Sequence, residues 1–320
     1  MLKENLLDYL KSSKDYVSGE KLGEILGVSR SAVWKEIRAL RKDGYIIDAV
    51  TNRGYMIRDV GDVINSAEIK TNKLIGSKVI CFDEVTSTNE ECKKLGLNGS
   101  EEGTVVVSDT QTSGRGRLGR VWKSKKGTGV YMSILLRPDI SPVKIPSVTL
   151  CAGLAVCQAL KYDFDIDSEI KWPNDIVCGG KKICGILTEM TGQLQKMDFV
   201  IVGIGINVNN EDFPDEIKDK ASSMFLISRR KFKRSPIAKA VLERFDKIYS
   251  DFSQNGFKAI KDEYEKNCIN IGKRVNIINR DGGFEALAVE VDDNGELVVL
   301  KDNGEKLSVF SGEVSVRGVY

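Results

Sequence analysis

The chain has 320 residues, 41% hydrophobic and 29% charged, which is the composition of an ordinary globular protein with two or three domains. Its 48 lysines and arginines nearly balance 46 acidic residues, so any contact with nucleic acid must come from a local patch. Histidine is absent, which excludes Ser-His-Asp and Cys-His catalysis, histidine zinc ligation and imidazole proton transfer.

Cysteine usage and the apolar segments indicate the compartment. The seven cysteines never fall into a CxxC spacing, which favours reduced thiols in a cytosolic protein. The N-terminal segment is amphipathic and charged, unlike a signal peptide, and we expect no later apolar run to be long enough to span a bilayer. The sequence therefore predicts a cytoplasmic protein with no membrane partner.

Residues 1–62 predict three short helices followed by a hairpin. Leucines at helical spacing form the first helix, a second helix follows Ser18, and a third begins at an N-cap, Ser29, and stops at Gly44. Two alternating segments, 45–50 and 54–58, read as the hairpin. This order predicts a winged helix-turn-helix domain.

The third helix and the hairpin turn carry the residues expected to contact DNA. In a recognition helix, N-terminal side chains reach base edges while lysines and arginines pair with phosphates. The candidates are Arg30, Ser31, Trp34, Lys35, Arg38 and Arg53. The alternative is a solvated basic helix in a protein-binding module.

Between residues 63 and 270, strands alternate with helices. Five strands are predicted, at 79–82, 104–108, 130–136, 182–191 and 199–208, and helices at 87–97 and 147–160. The second helix is apolar on most sides and should lie under a sheet. The pattern indicates a mixed α/β core with a helical layer on one side.

Two segments of this region suit an anionic ligand. Ser87 and Glu90 have the spacing of a capping box at a helix start, for which a purely structural cap is the alternative. The segment from Gln111 to Arg120 contains three glycines and three arginines and precedes Trp122. Glycines let the backbone approach a ligand and arginines match phosphate oxygens, although the spacing is that of neither a Walker nor a dinucleotide loop. A flexible RNA-binding segment is the competing interpretation. We call Gly114–Arg120 the arginine loop and expect a ligand to order it.

Two further segments follow. Lys171-Trp172-Pro173-Asn174-Asp175 clusters a cation, an aromatic ring and a carboxylate, where Asp175 would help to hold magnesium or a ligand, or simply begin a turn. The segment 203–209 has two glycines within an apolar strand, which indicates a bulge, a ligand against the backbone or a packed strand crossing.

In combination, the motifs STN, GRGRLGR followed by W, KWPND, KKICGILTE and GIGINVN resemble those of biotin protein ligases in order and spacing. The N-terminal run SGEKLGEILGVSRSAVWKEIRALRKDGY with TNRGY is similar to the DNA-binding domain of the bifunctional members, the biotin operon repressors. The last part, 271–320, with turns at Asp281-Gly282, Asn294-Gly295 and Asn303-Gly304, resembles their small SH3-like β-barrel. The implied fold is α+β, with domains at 1–62, 63–270 and 271–320.

The resemblance implies an ATP-dependent ligase with Mg²⁺. Biotin and ATP would give biotinoyl-AMP, and a lysine of a biotin carboxyl carrier protein domain would then accept the biotinoyl group. The catalytic residues would be Arg115, Arg117 and Lys182. Substrate would also contact Ser87, Thr88, Asn89, Gln111, Gly116, Trp122, Gly185, Gly203, Gly205 and Asn207. No residue is assigned as a metal ligand, and the adenine would lie under the loop 210–223, near Phe213 or Phe225.

The two modules together predict regulation. Biotinoyl-AMP would order the loops, favour a homodimer and place two wings on operator DNA. Two other classes stay open: a biotin-sensing regulator without acyl transfer, and a lipoate or octanoate ligase. The arginine loop with Lys182 argues against the first, and Trp122 with STN against the second.

Overall fold

A computed structural model of the chain describes residues 2–193, 196–279, 282–310 and 313–316. Contacts between residues divide the chain into two compact units, Met1–Glu68 and Ile69–Tyr320. The first unit thus extends beyond residue 62, where the sequence placed the first domain boundary, and the three domain ranges remain predictions.

The first unit contains three helices and a hairpin, namely α1 (Leu2–Ser12), α2 (Gly19–Leu26), α3 (Arg30–Lys42), β1 (Tyr45–Val50) and β2 (Gly54–Val60). Ser29 caps α3 by accepting a hydrogen bond from the Ala32 amide. Buried Leu10, Leu22 and Ile37 form part of its core. Gly54 must be glycine, because its φ is 105° and a Cβ would collide with the Val17 carbonyl. These features agree with a winged helix-turn-helix.

A short helix, α4 (Ser66–Ile69), spans the division between the units, and a mixed sheet of seven strands follows it. In spatial order the strands are β3 (Val79–Val85), β4 (Val105–Gln111), β5 (Gly129–Leu136), β9 (Lys196–Asn207), β8 (Lys181–Gln193), β7 (Asp175–Cys178) and β6 (Glu169–Lys171). Only β3 and β4 pair in parallel, and all other neighbours are antiparallel. The structure confirms the five predicted strands and adds β6 and β7.

Among the described residues, five α-helices accompany this sheet: α5 (Thr88–Leu97), α6 (Ile145–Phe164), α7 (Met224–Ser228), α8 (Arg234–Asn255) and α9 (Lys261–Lys266). The expectation that no apolar run reaches bilayer length was wrong, because the helical segment Pro142–Phe164 is long and apolar enough to cross a membrane. However, 72% of its apolar window is buried within the structure. α6 packs against α8 and β8, which is the environment of a core helix under a sheet.

The C-terminal strands β10 (Arg274–Asn279), β11 (Gly282–Val291), β12 (Leu297–Leu300), β13 (Lys306–Val309) and β14 (Glu313–Val316) form a separate antiparallel sheet. Gly295 and Gly304 have left-handed backbones in two of the predicted turns, whereas Asp281 of the third lies outside the described residues. The turn at Gly295 contacts the central sheet, since the Trp172 indole donates to the Gly295 carbonyl at 3.1 Å. The small sheet is thereby attached to the KWPND segment.

Candidate active site

A pocket lies where all the central motifs meet. The lining residues are Ser87, Thr88, Asn89, Gln111, Arg115, Gly116, Arg117, Trp122, Asn174, Lys182, Gly185, Ile186, Leu187, Gly203, Ile204 and Gly205. The predicted substrate contacts are thus brought together, with Asn207 as the exception.

The STN motif enters the pocket at the start of α5. The predicted capping box was wrong: Ser87 occupies the N-cap position without a side-chain capping bond. Ser87 lines the pocket instead. The Glu90 carboxylate accepts a hydrogen bond from the Arg115 guanidinium at 2.7 Å. Thr88 and Asn89 are both buried, at 4% and 6% exposure. The motif therefore supplies buried polar groups to the site.

The arginine loop is a short, internally bonded turn. Arg115 and Val121 form an antiparallel bridge, and the Gly116 amide donates to the Arg120 carbonyl at 2.7 Å. At the tip, Leu118 has φ 57°, an unfavourable conformation for a non-glycine residue. Arg117 is half-buried and donates to the Asn174 side chain at 2.7 Å. The loop thus reaches the KWPND segment through the Arg117 side chain.

Trp122 lies against the glycines of β8 and β9. A Cβ at Gly205 would approach the Trp122 indole nitrogen to 2.6 Å, and one at Gly185 would lie 3.0 Å from the ring. Likewise, a Cβ at Gly203 would collide with the Asn89 carboxamide. The glycines therefore make room for two side chains, an explanation that the sequence alone did not supply.

The polar groups around Trp122 are suited to an anion. Lys182 lies 5.6 Å above the Trp122 ring and forms an ion pair with Asp175 at 2.5 Å. Both side chains are largely shielded from solvent, at 25% and 16% exposure. The Trp122 Nε1 donor is buried and finds no acceptor among the residues that the structure describes. A buried donor without a partner is costly, so this N–H is available to a ligand.

Asn207 points away from the pocket. Its side chain is 5% exposed and donates to the Ser222 carbonyl at 3.1 Å. The adjoining chain pairs with the edge of β8, because the Lys182 amide donates to the Lys220 carbonyl and the Ser222 amide to the Lys182 carbonyl. In this arrangement Asn207 holds the segment after β9, and its ligand contact stays a prediction.

Sequence analysis missed four lining residues: Asn174, Ile186, Leu187 and Ile204. Three are apolar strand residues with no polar signal of their own. Asn174 lies within the KWPND motif, and its contact with Arg117 gives it a role beyond a turn. Lys171 of the same motif is buried at 6% exposure and does not line the pocket.

The cysteines do not provide a nucleophile at this site. All seven thiols are free, and six of them are buried. Burial raises the pKa of the Cys92 thiol to about 12, and it raises the pKa of Cys184 well above its usual value. Such thiols are not ionised near neutral pH and are therefore inert.

The predicted DNA contacts lie in the first unit. Arg30, Ser31, Trp34, Lys35 and Arg38 are all exposed on α3. The Arg38 guanidinium stacks 4.7 Å from the Trp34 ring, and that ring is 51% exposed. In the hairpin turn, Arg53 lies over the Tyr16 ring and pairs with Asp15. The helix thus presents a basic surface with one large aromatic side chain.

Comparison with known proteins gives three family matches along the chain. Residues 79–207 match the "Biotin/lipoate A/B protein ligase family", residues 3–56 an "HTH domain", and residues 271–317 the "Biotin protein ligase C terminal domain". The bifunctional ligase/repressor BirA of Bacillus subtilis is 39% identical, over 98% of both chains. The Escherichia coli protein of the same name is 27% identical, over 96% of this chain and 95% of its own.

A solved structure has the same central fold. The biotin protein ligase of Aquifex aeolicus, determined in complex with biotin and ATP, superposes with a TM-score of 0.65 at 34% identity. The match covers 75% of this chain and 98% of that chain.

Proposed function

Because this chain belongs to the family of bifunctional biotin ligase/repressors, we propose that it joins biotin to a carrier protein and represses biotin genes. In the first step a biotin carboxylate oxygen attacks the α-phosphorus of ATP, giving biotinoyl-AMP and pyrophosphate. In the second, the ε-amine of a lysine in a biotin carboxyl carrier protein domain attacks the acyl carbon and AMP leaves. The observation that carries the proposal is the single pocket in which all five sequence motifs meet.

The pocket suits this chemistry because the main demand is to bring two anions together. Lys182 is held beside Asp175, and we assign it to the biotin carboxylate and then to the adenylate phosphate. Arg115 and Arg117 offer guanidinium groups to the phosphate. Cations fixed in a shielded site stabilise charge that develops on phosphorus without any protein nucleophile.

We assign the headgroup of biotin to the opposite end of the pocket, where the buried residues Ser87, Thr88 and Asn89 lie with the half-buried Gln111. Trp122 covers the strands beside them, and its free N–H is an additional donor. Gly116 gives the ligand access to loop backbone.

Magnesium would enter with ATP. Within the described ranges, no three Asp, Glu, His or Cys side chains cluster as a metal site. Mg²⁺ commonly uses one carboxylate together with substrate phosphates, and Asp175, which pairs with the pocket residue Lys182, fits that pattern. When bound, the ion would neutralise phosphate charge.

The regulatory part of the proposal joins the site to DNA. Biotinoyl-AMP would bridge the arginine loop and the sheet, and the ordered loop would favour a homodimer. β3 is an edge strand of the central sheet, a type of surface that can pair with a second copy. Two exposed basic α3 helices would then contact a two-fold operator DNA. We further propose that the protein acts in the cytoplasm and has no membrane partner.

Labelling of a carrier domain tests the ligase activity. The protein should attach biotin to the carrier lysine only when ATP and Mg²⁺ are both present. A gel shift with the same preparation should show tighter operator binding after biotin and ATP are added. Operator binding without labelling of the carrier domain would indicate a biotin-sensing regulator without acyl transfer. Faster transfer of lipoate or octanoate than of biotin would indicate a lipoate or octanoate ligase.

A further inference from the structure

The hairpin β1–β2, which we call the wing, has its turn against the segment that joins α1 to α2. Val17 of that segment and Tyr55 form an antiparallel bridge, in which each backbone amide donates to the other residue's carbonyl at 2.9 Å. Gly54 approaches the Val17 carbonyl so closely that a Cβ would collide with it. The turn residue Arg53 is therefore held beside Tyr16, which precedes Val17 in the chain.

Two wing arginines meet at the Tyr16 ring, and they are bound differently. The Arg58 guanidinium donates to Asp48 Oδ2 at 2.5 Å and to the Tyr16 hydroxyl at 2.8 Å. The Arg53 guanidinium lies 4.3 Å from the centre of the ring and pairs with Asp15 at 3.1 Å, while its side chain is 58% exposed. Arg58 is thus bonded within the wing, whereas Arg53 presents its charge to solvent.

The carboxylate of Asp15 is placed beside Arg53 by the backbone. Its Oδ1 accepts from the Tyr16 amide at 2.7 Å as well as from the Arg53 guanidinium. Carboxylate and phosphate oxygens bind a guanidinium in the same way. A DNA phosphate that binds Arg53 must therefore displace Asp15 or lie next to its negative charge, and both weaken the interaction.

We infer that Asp15 competes with DNA phosphate for Arg53, and that Tyr16 is the positioning residue that holds the Arg53 guanidinium on the wing. Contact with the face of an aromatic ring leaves the N–H groups at the guanidinium edge available to phosphate oxygens. The inference rests on the proposed repressor function, and it adds two residues to the predicted DNA contacts. Asp15 lowers the affinity of each wing, which helps to make operator binding depend on a ligand-induced dimer.

Asp15→Asn distinguishes competition from support. The asparagine has nearly the same size and keeps an oxygen for the Tyr16 amide, but it carries no charge. If Asp15 competes with phosphate, the variant should bind DNA roughly three- to fivefold more tightly, the range that one exposed ion pair allows. If Asp15 instead holds Arg53 in its DNA-binding position, the variant should bind more weakly.

The measurement is a gel shift with biotin and ATP present. The probe is a duplex that the parent protein enriches from a random-sequence pool under the same conditions. Asp8→Asn removes another exposed carboxylate, from α1, and controls for the general effect of removing negative charge near DNA. In an Arg53→Ala background, Asp15→Asn should have no effect beyond that control, because the cation for which it competes is gone.

The role of Tyr16 is tested through Arg53. Arg53→Ala should weaken binding about fivefold and lower the salt dependence of log Kd by about one phosphate contact. Tyr16→Leu removes the ring beneath the guanidinium and should weaken binding about threefold. Tyr16→Phe keeps the ring and should bind like the parent protein. In the Arg53→Ala background, Tyr16→Leu should cause no further loss.

The outcomes separate this inference from the proposed function. If the parent protein enriches no duplex, the repressor proposal fails and the inference with it. If the parent protein binds but Asp15→Asn does not bind more tightly than Asp8→Asn, competition is overturned. Parent affinity in Tyr16→Leu, or an equal loss without Arg53, would overturn the positioning role. Should thermal unfolding show that Tyr16→Leu does not fold, Tyr16→Met removes the ring with less change in volume and is judged by the same criteria.

Discussion

The pocket has a rigid floor and a lightly attached cover. The floor consists of β8 and β9 around Gly185, Gly203 and Gly205, beside β5, whose residues are all buried. The arginine loop is mostly exposed. Leu118 at its tip is 76% exposed, and Val121, the residue after the loop, is 75% exposed. Its side chains reach the rest of the site through Glu90 and Asn174. The same ligand would thus contact one surface fixed by packing and one held by a few polar bonds.

This contrast predicts two kinds of mutational effect. Changes in the floor should affect catalysis or biotin binding, because nothing beside it has space to adjust. Changes in the loop should affect how long the adenylate stays bound, because the loop can move without disturbing the sheet. A floor variant that altered only retention, or a loop variant that abolished chemistry, would contradict the contrast.

The largest effect is expected from Lys182→Ala in the floor. The biotin carboxylate and the α-phosphate would meet without the Lys182 cation, and the Asp175 carboxylate would no longer be offset by its ion pair with Lys182. We expect adenylate formation to fall by about a thousandfold. Pyrophosphate release under single-turnover conditions measures this step, and a rate within a few-fold of the parent protein would remove Lys182 from the chemistry.

Gly205→Ala should be the next most severe change. Its new Cβ would lie 2.6 Å from the Trp122 indole nitrogen, so the ring must leave its position over the strands. Misplacing a pocket wall by about 1 Å can cost on the order of a hundredfold, which we expect here as a rise in the KM for biotin. Isothermal titration of biotin measures the accompanying loss of affinity.

Gly153→Ala provides the control for that experiment. A Cβ at Gly153 in α6 would have its nearest neighbours at 3.8 Å, an ordinary contact. Alanine is also the better helix former, by about 1 kcal/mol. This variant should therefore bind biotin normally, and equal losses in both variants would argue against a specific role for the Trp122 contact.

These glycines illustrate what the sequence could and could not predict. Motif order located the pocket, since every element that carries a motif also carries a lining residue. The sequence could not show that Asn89 and Trp122 fill the space over the glycines, because those contacts join residues far apart in the chain. For the same reason Asn207 was expected at the ligand, although its carboxamide is bound to the Ser222 carbonyl.

Local rules were also overruled by tertiary contacts. Ser87 and Glu90 fit the capping-box spacing, but Arg115 pairs with the Glu90 carboxylate and Ser87 makes no capping bond. The apolar length of α6 indicated a core helix, and its burial against α8 and β8 confirms that interpretation. Spacing therefore predicted elements well and side-chain partners poorly.

Arg117→Gly tests the cover. The change removes the bond to Asn174 and one guanidinium from the pocket, so the adenylate should dissociate roughly tenfold faster. Adenylate formation should fall much less than in Lys182→Ala. Release of preformed biotinoyl-AMP, followed after dilution, measures the rate. Arg120→Gly removes a loop arginine that does not line the pocket and should release the adenylate more slowly than Arg117→Gly.

The smallest effect should come from Glu90→Gln, which removes the carboxylate partner of Arg115. The Arg115 side chain is 55% exposed and that of Glu90 is 34% exposed. An exposed ion pair contributes at most about 1 kcal/mol of stabilising free energy. We therefore expect adenylate release to accelerate only two- to three-fold, on the order of what such a pair allows.

Salt dependence identifies the origin of this small effect. Added salt screens the Glu90 and Arg115 charges, so the difference between variant and parent should shrink as ionic strength rises toward about 1 M. Glu91→Gln removes the neighbouring charge, which pairs with Lys94 on the same helix, and should not change the release rate. A Glu90→Gln effect that persisted at high salt would mean that Glu90 shapes the floor through α5. The position of the arginine loop would then depend on the packing of α5 against the floor, which would contradict the contrast between the two surfaces.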